Sequence, residues 1–149
     1  MPITFDDLWN SYPADDAPCR NGRGDSNFDN QCAIKMGVCL ADAGVDLSSC
    51  RAVRCWHGHG RRHILRAQEL ADWLAGRNGA RILGAVNRHR SGVTYQSFSG
   101  RSGIVFFQNF WGRGNQGDHI DLWDGSSDTL IAGSRDYFSR AEEVWFWNI

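Results

Sequence analysis

The hydrophobic period of this chain changes once, near residue 100, and that switch restricts the fold more than any compositional figure. Before it, apolar residues recur at helical spacing; after it, they come in short strand-length runs separated by turn residues. Thr4 caps a first helix with Phe5, Leu8 and Trp9 on its apolar face and Pro13 closing it. A second helix runs from the cap pair Asp29 and Asn30 to Gly44. It has Ile34, Val38 and Ala41 on one stripe and Cys32, Met36 and Cys39 on another. A helix apolar on so much of its girth belongs in the interior. A third helix is predicted over 62–75, where Ala67, Leu70, Ala71 and Leu74 follow the helical spacing and Gly76 and Gly79 end it. Beyond the switch, Ser102 to Phe107 is an almost continuous apolar run suited to a central strand, and 118–123 is the next strand. Asp124-Gly125 reads as a two-residue hairpin turn leading into a return strand over 128–132. A short helix within 135–142 and a closing strand Val144 to Ile149 complete the pattern. Helices first and strands afterwards describe an α+β domain, N-terminal helices packed on an antiparallel β-sheet. At 149 residues the chain is expected to form one domain, spanning 1–149.

Two residues on these elements carry chemistry. With Asn30 as cap, Cys32 falls in the first helical turn, where free backbone N–H groups and the helix dipole favour the thiolate, the nucleophilic form. His119 lies on the strand that begins after Gly117-Asp118. A cysteine at a helix start and a histidine on a later strand are what a papain-like thiol hydrolase needs. The competing reading is a buried structural cysteine and an unrelated surface histidine. Period-two alternation puts His119, Asp121 and Trp123 on one face of their strand. A two-residue hairpin would pair Trp123 with Ser126, Asp121 with Asp128 and His119 with Leu130, leaving Asp128 diagonal to His119. On that register Asp128 is favoured as the carboxylate that orients the imidazole, with Asp121 as the alternative.

The remaining composition excludes more than it assigns. A net charge of −1 gives no global field to recruit nucleic acid or anionic membrane. No apolar run approaches the roughly 20 residues of a membrane span, and Met1 to Trp9 lacks the pattern of a secretory signal peptide. Cys19, Cys32, Cys39, Cys50 and Cys55 make an odd set, compatible with one reactive thiol and two disulfides in an oxidising compartment. Cys50–Cys55 is the expected bridge, while Cys39 reads equally as apolar filler. Cys50, Cys55, His57, His59 and His63 resemble a zinc set, but Arg51, Arg54, Arg61 and Arg62 crowd it with positive charge. No metal and no cofactor are expected. Those arginines suit phosphates, the carboxylates of an acidic peptide, or plain solvent.

Several blocks together resemble one family. Asn30-Gln31-Cys32-Ala33-Ile34-Lys35-Met36-Gly37 is similar to the nucleophile motif of the type VI secretion amidase effectors, family four. His63 to Leu74 is similar to that family's second helix. Gly100 to Phe107, Gly117 to Trp123 and Val144 to Trp147 match in the same order. The resemblance covers roughly residues 28 to 149. It implies a papain-like cell-wall peptidase fold and a bacterial antagonist that cleaves the amide between γ-D-glutamate and meso-diaminopimelate in peptidoglycan stems. It also implies delivery by the secretion machinery into a rival's periplasm, and a cognate immunity protein that blocks the cleft. Carried over, the nucleophile is Cys32 and the base His119. The family's third member is an aspartate shortly after the histidine strand; the spacing here departs from that pattern, so Asp128 rests on the hairpin register alone. Two rival functions remain: a general thiol protease or transamidase, and a non-enzymatic cell-wall-binding module using Trp111, Trp123 and Trp56 as stacking platforms.

Overall fold

The computed structural model describes residues 3–13, 32–51, 63–89, 93–108 and 118–149. Five strands form one antiparallel sheet: β1 (Asn87–His89), β2 (Gly103–Gln108), β3 (His119–Asp124), β4 (Thr129–Leu130) and β5 (Glu143–Asn148). Their order is β1-β5-β2-β3-β4, so the two most apolar strands, β2 and β5, lie beside each other in the interior. Alternation divides the side chains between two layers. Ile104, Phe106, Ile120, Leu122, Trp145 and Trp147 face the helices, with Leu8, Met36, Leu40, Leu70 and Leu74 in one core. Val105, Phe107, Trp123, Val144 and Phe146 face the other way, covered by Phe98 and Phe138. Burying each such side chain stabilises the fold by about 1.5–3 kcal/mol, which fixes strand register, since a one-residue slip would invert both layers.

The helices are α1 (Phe5–Ser11), α2 (Cys32–Asp42), α3 (Ala67–Ala75), α4 (Arg77–Leu83) and α5 (Tyr137–Arg140). At α1, Thr4 Oγ1 accepts from the Asp7 N–H at 3.1 Å, and the Asp7 carboxylate accepts the Thr4 N–H at 3.3 Å, a complete capping box. Helix α2 closes where Val45 N–H bonds Leu40 C=O and Gly44 N–H bonds Ala41 C=O, a Schellman ending. Eight of its residues from Cys32 to Leu40 are buried, as its all-round apolar pattern requires. Cys39 is wholly buried and its Sγ–H donates to the Leu8 carbonyl at 3.0 Å, tying α2 to α1.

Three expectations are corrected. The third helix starts at Ala67, not at residue 62; His63 and Ile64 are buried and Ile64 forms an isolated bridge, so tertiary packing holds that stretch extended. Gly79 does not end a helix but sits inside α4. A Cβ there would lie 1.9 Å from the Leu74 carbonyl oxygen, so the glycine lets α4 fold tightly back on α3. The hairpin after β3 is also longer than two residues. Trp123 pairs with Leu130 and Asp124 with Thr129, leaving a four-residue turn over 125–128. The Asp124 carboxylate accepts both the backbone N–H (2.9 Å) and hydroxyl (2.6 Å) of Ser126, and Gly100 N–H bonds the Gly125 carbonyl at 2.8 Å. These contacts shape the turn from outside the strand pattern.

Candidate active site

Helix α2 opens with Cys32, which keeps 8% of its surface exposed. Its Sγ lies 3.9 Å from the carbonyl oxygen of Asp118, the residue just before β3, so helix start and strand start meet. His119 is the first residue of β3 and is also buried. Its Nε2 lies 2.7 Å from Asp121 Oδ2, which leaves Nδ1 as the ring nitrogen for the hydrogen bond with Cys32. Burial by itself would favour the neutral ring. The hydrogen bonds to Asp121 and Cys32, and the charges of both, outweigh it and push the imidazole up to about 10. A histidine so held beside Cys32 is placed to exchange a proton with the groups that react there.

Asp121 is wholly buried and its two oxygens have separate duties. Oδ1 accepts the backbone N–H groups of Leu122 at 2.7 Å and Ala132 at 3.2 Å, while Oδ2 faces His119. A buried carboxylate needs such hydrogen-bond partners. Asp121, the alternative of the sequence reading, therefore occupies the place beside His119 that the hairpin register gave to Asp128. Asp128 lies in the turn with φ 54° and its Oδ1 accepts the Ser99 hydroxyl at 2.7 Å. The four-residue turn moves the register by four positions and takes Asp128 off the strand. That is the physical reason for the correction.

Aromatic rings wall the pair. Phe107, opposite His119 on β2, stacks parallel to it (centroids 6.2 Å, interplanar angle 12°), and Tyr137 of α5 meets it edge-on (5.3 Å, 77°). Tyr12, just after α1, is buried, and its hydroxyl has no hydrogen-bond partner among the described residues. Burial first, then the charges of Asp121, Cys32 and Cys39, pushes that phenol far above its usual range. It is a neutral dipole in the same buried cluster as Cys32. Sequence reasoning missed Phe107, Tyr137 and Tyr12; only the continuous apolar run of β2 hinted that one of its rings would face the histidine.

Other expectations fare differently. Trp123 is fully buried and its indole N–H donates to the Phe98 carbonyl at 3.0 Å, so it is not a stacking platform. Trp56 and Trp111 lie outside the described residues, as does Cys55, and with it the Cys50–Cys55 bridge. Of the zinc set, only Cys50 and His63 are described, both buried. Among the described residues no cluster of three or more His, Cys, Asp or Glu side chains has metal-binding geometry, and no helix is long and apolar enough to cross a membrane.

Comparison with known proteins adds to this geometry. The family described as type VI secretion system (T6SS), amidase effector protein 4 (Tae4) matches residues 28–147. No curated protein matches the chain. Among solved structures, the chain is similar to an effector–immunity complex Tae4-Tai4 from Enterobacter cloacae, at 19% identity and TM-score 0.70, covering 100% of this chain and 99% of that one. It is similar to the effector Tae4 alone from Enterobacter cloacae (20%, TM-score 0.70, 100% and 98% covered). A Tae4-Tai4 complex from Salmonella Typhimurium is comparable (19%, TM-score 0.72, 100% and 99% covered). At that identity these structures establish the shared α+β fold.

Proposed function

This chain belongs to the type VI secretion system amidase effector 4 family, and from that premise we propose that it hydrolyses peptidoglycan. The bond cut is the amide between γ-D-glutamate and meso-diaminopimelate in the stem peptide. Cys32 is the nucleophile, His119 the general base and acid, and Asp121 the carboxylate that orients His119. One observation carries this reading: the thiol at the head of α2 meets a strand-borne imidazole whose far nitrogen is held at 2.7 Å by a buried aspartate.

The chemistry follows from that arrangement. The Cys32 thiolate attacks the amide carbonyl, a C–S bond forms, and backbone N–H groups at the start of α2, that of Cys32 included, hold the oxyanion. The tetrahedral adduct collapses with cleavage of the C–N bond, and His119 gives its proton to the departing amine. His119 then takes a proton from water, which attacks the thioester and frees Cys32. Asp121 keeps the Nε2 side of the ring bonded throughout, so Nδ1 faces the sulfur.

The family's description as secretion effectors supports delivery into the periplasm of a target bacterium. The Tae4-Tai4 complexes among its structural relatives support a cognate immunity protein as the partner of this chain. Purified sacculi test the proposal. Wild type releases new amino groups with time, and Cys32→Ala releases none while keeping its circular dichroism. A protein that only pulls down with sacculi is a cell-wall-binding module, and one that cuts ordinary L-peptides is a general thiol protease; either result overturns the reading.

A further inference from the structure

Gly133 and the ring of Tyr137 wall one side of the His119–Asp121 pair. Gly133 follows β4, and a Cβ placed on it would lie 2.9 Å from Asp121 Oδ2, 3.0 Å from His119 Nε2 and 2.8 Å from Tyr137 Cε2. The first two atoms are the two ends of the 2.7 Å hydrogen bond. Neither can retreat cheaply. Asp121 is tethered by the N–H groups of Leu122 and Ala132, and His119 lies between Phe107 and Tyr137. Tyr137 is itself set edge-on against Phe107 (5.7 Å, 77°). The glycine is not required by its backbone either, because its φ lies outside the left-handed region that Gly44, Gly84 and Gly100 occupy. What excludes a side chain at 133 is space, and that space is the hydrogen bond itself.

We propose that Gly133 is a positioning residue for the reaction: its bare Cα and the Tyr137 ring close over the Nε2–Oδ2 hydrogen bond, keeping it short, dry and in one orientation. The proposal rests on the reading of His119 as the catalytic base. A methyl group at 133 must part donor from acceptor, after which the imidazole turns relative to Cys32. Misplacement of a catalytic group by about 1 Å costs on the order of 10²-fold in rate.

The test is Gly133→Ala in the full chain, with Gly44→Ala as a control for general destabilisation at the far end of α2. On a soluble stem peptide, kcat of Gly133→Ala falls on the order of 10²-fold with KM little changed. Without substrate, the pH profile of Cys32 alkylation by iodoacetamide moves to that of His119→Gln, whereas Gly44→Ala keeps the wild-type profile. Retention of both kcat and the wild-type alkylation profile in Gly133→Ala overturns the proposal. So does a loss that only tracks the unfolded fraction, as in the control. Should the alanine variant fail to fold, Tyr137→Leu opens the same wall without crowding it. The same shift in alkylation then supports the proposal, and an unchanged profile overturns it. Alkylation reads the pair independently of turnover, so a chain that cuts no stem peptide yet shows the shift refutes the amidase reading alone.

Discussion

Asp121→Asn separates the two carboxylates most sharply, because the surroundings dictate how the amide must sit. Oδ1 of Asp121 accepts two backbone N–H groups, from Leu122 at 2.7 Å and Ala132 at 3.2 Å. An asparagine there keeps its carbonyl oxygen at that site, since a flipped amide would aim its own N–H₂ at two donors and leave buried groups unsatisfied. The amide nitrogen then faces His119 Nε2 where Oδ2 now stands at 2.7 Å. It donates to Nε2, which forces the ring proton onto Nδ1, on the Cys32 side. The histidine is left in the tautomer that cannot accept the thiol proton. It also loses the carboxylate that holds it charged. The analogous exchange in a serine protease triad lowers kcat by about 10⁴, or roughly 5 kcal/mol of transition-state stabilisation. Amino-group release from sacculi measures the loss, and circular dichroism checks the fold. Asp128→Asn, whose carboxylate accepts the Ser99 hydroxyl in the turn away from His119, leaves turnover close to wild type. Turnover of Asp121→Asn within tenfold of wild type, or an equal loss in Asp128→Asn, would refute the reasoning.

Other outcomes follow from the same geometry. Iodoacetamide labels Cys32 ahead of Cys39, whose thiol burial pushes up to about 12 and whose hydrogen bonds to the Leu8 carbonyl; peptide mapping after brief exposure checks the order. Folding stability depends on the protonation of His119, whose pKa rises from 6.5 to about 10 in the folded protein. Its contribution is present in full below about 6.5 and is lost as pH climbs through about 10, at up to about 1.4 kcal/mol per pH unit. Urea unfolding from pH 6 to 10 should show that slope in wild type and a shallower one in His119→Gln. Thr4→Ala removes the capping box of α1 and costs about 1 kcal/mol in the same assay, with turnover per folded molecule unchanged.

What was legible in the sequence was whatever depends on local pattern. Thr4 as a cap, the all-round apolar α2 and the run of β2 each declare their element through the sequence pattern alone. Cys32 and His119 could be picked out because a thiol at a helix start and a lone histidine at a strand start carry their chemistry in their identity. The third carboxylate was not legible. Its choice hung on the length of one turn, and that length is set by the Asp124 carboxylate gripping Ser126 and by Gly100 reaching across to Gly125. Strand β1, Asn-Arg-His at the edge of the sheet, has no apolar alternation, and the cation of Arg88 over the Trp145 ring (4.2 Å) covers what it leaves open. Trp123 looked available for stacking, yet a residue near the end of β3 packed against Phe98 and Phe138 has nowhere to be but inside. The Gly133 wall is a contact between a loop, a strand and a helix, and no periodicity encodes it.

Mass spectrometry of muropeptides after digestion of purified sacculi by wild type and by Cys32→Ala tests the central claim most directly. Wild type should yield products in which γ-D-glutamate ends one fragment and meso-diaminopimelate begins the other with a free amino group, all absent with Cys32→Ala. The same fragments from Cys32→Ala, or cleavage by wild type at a different bond, would contradict it.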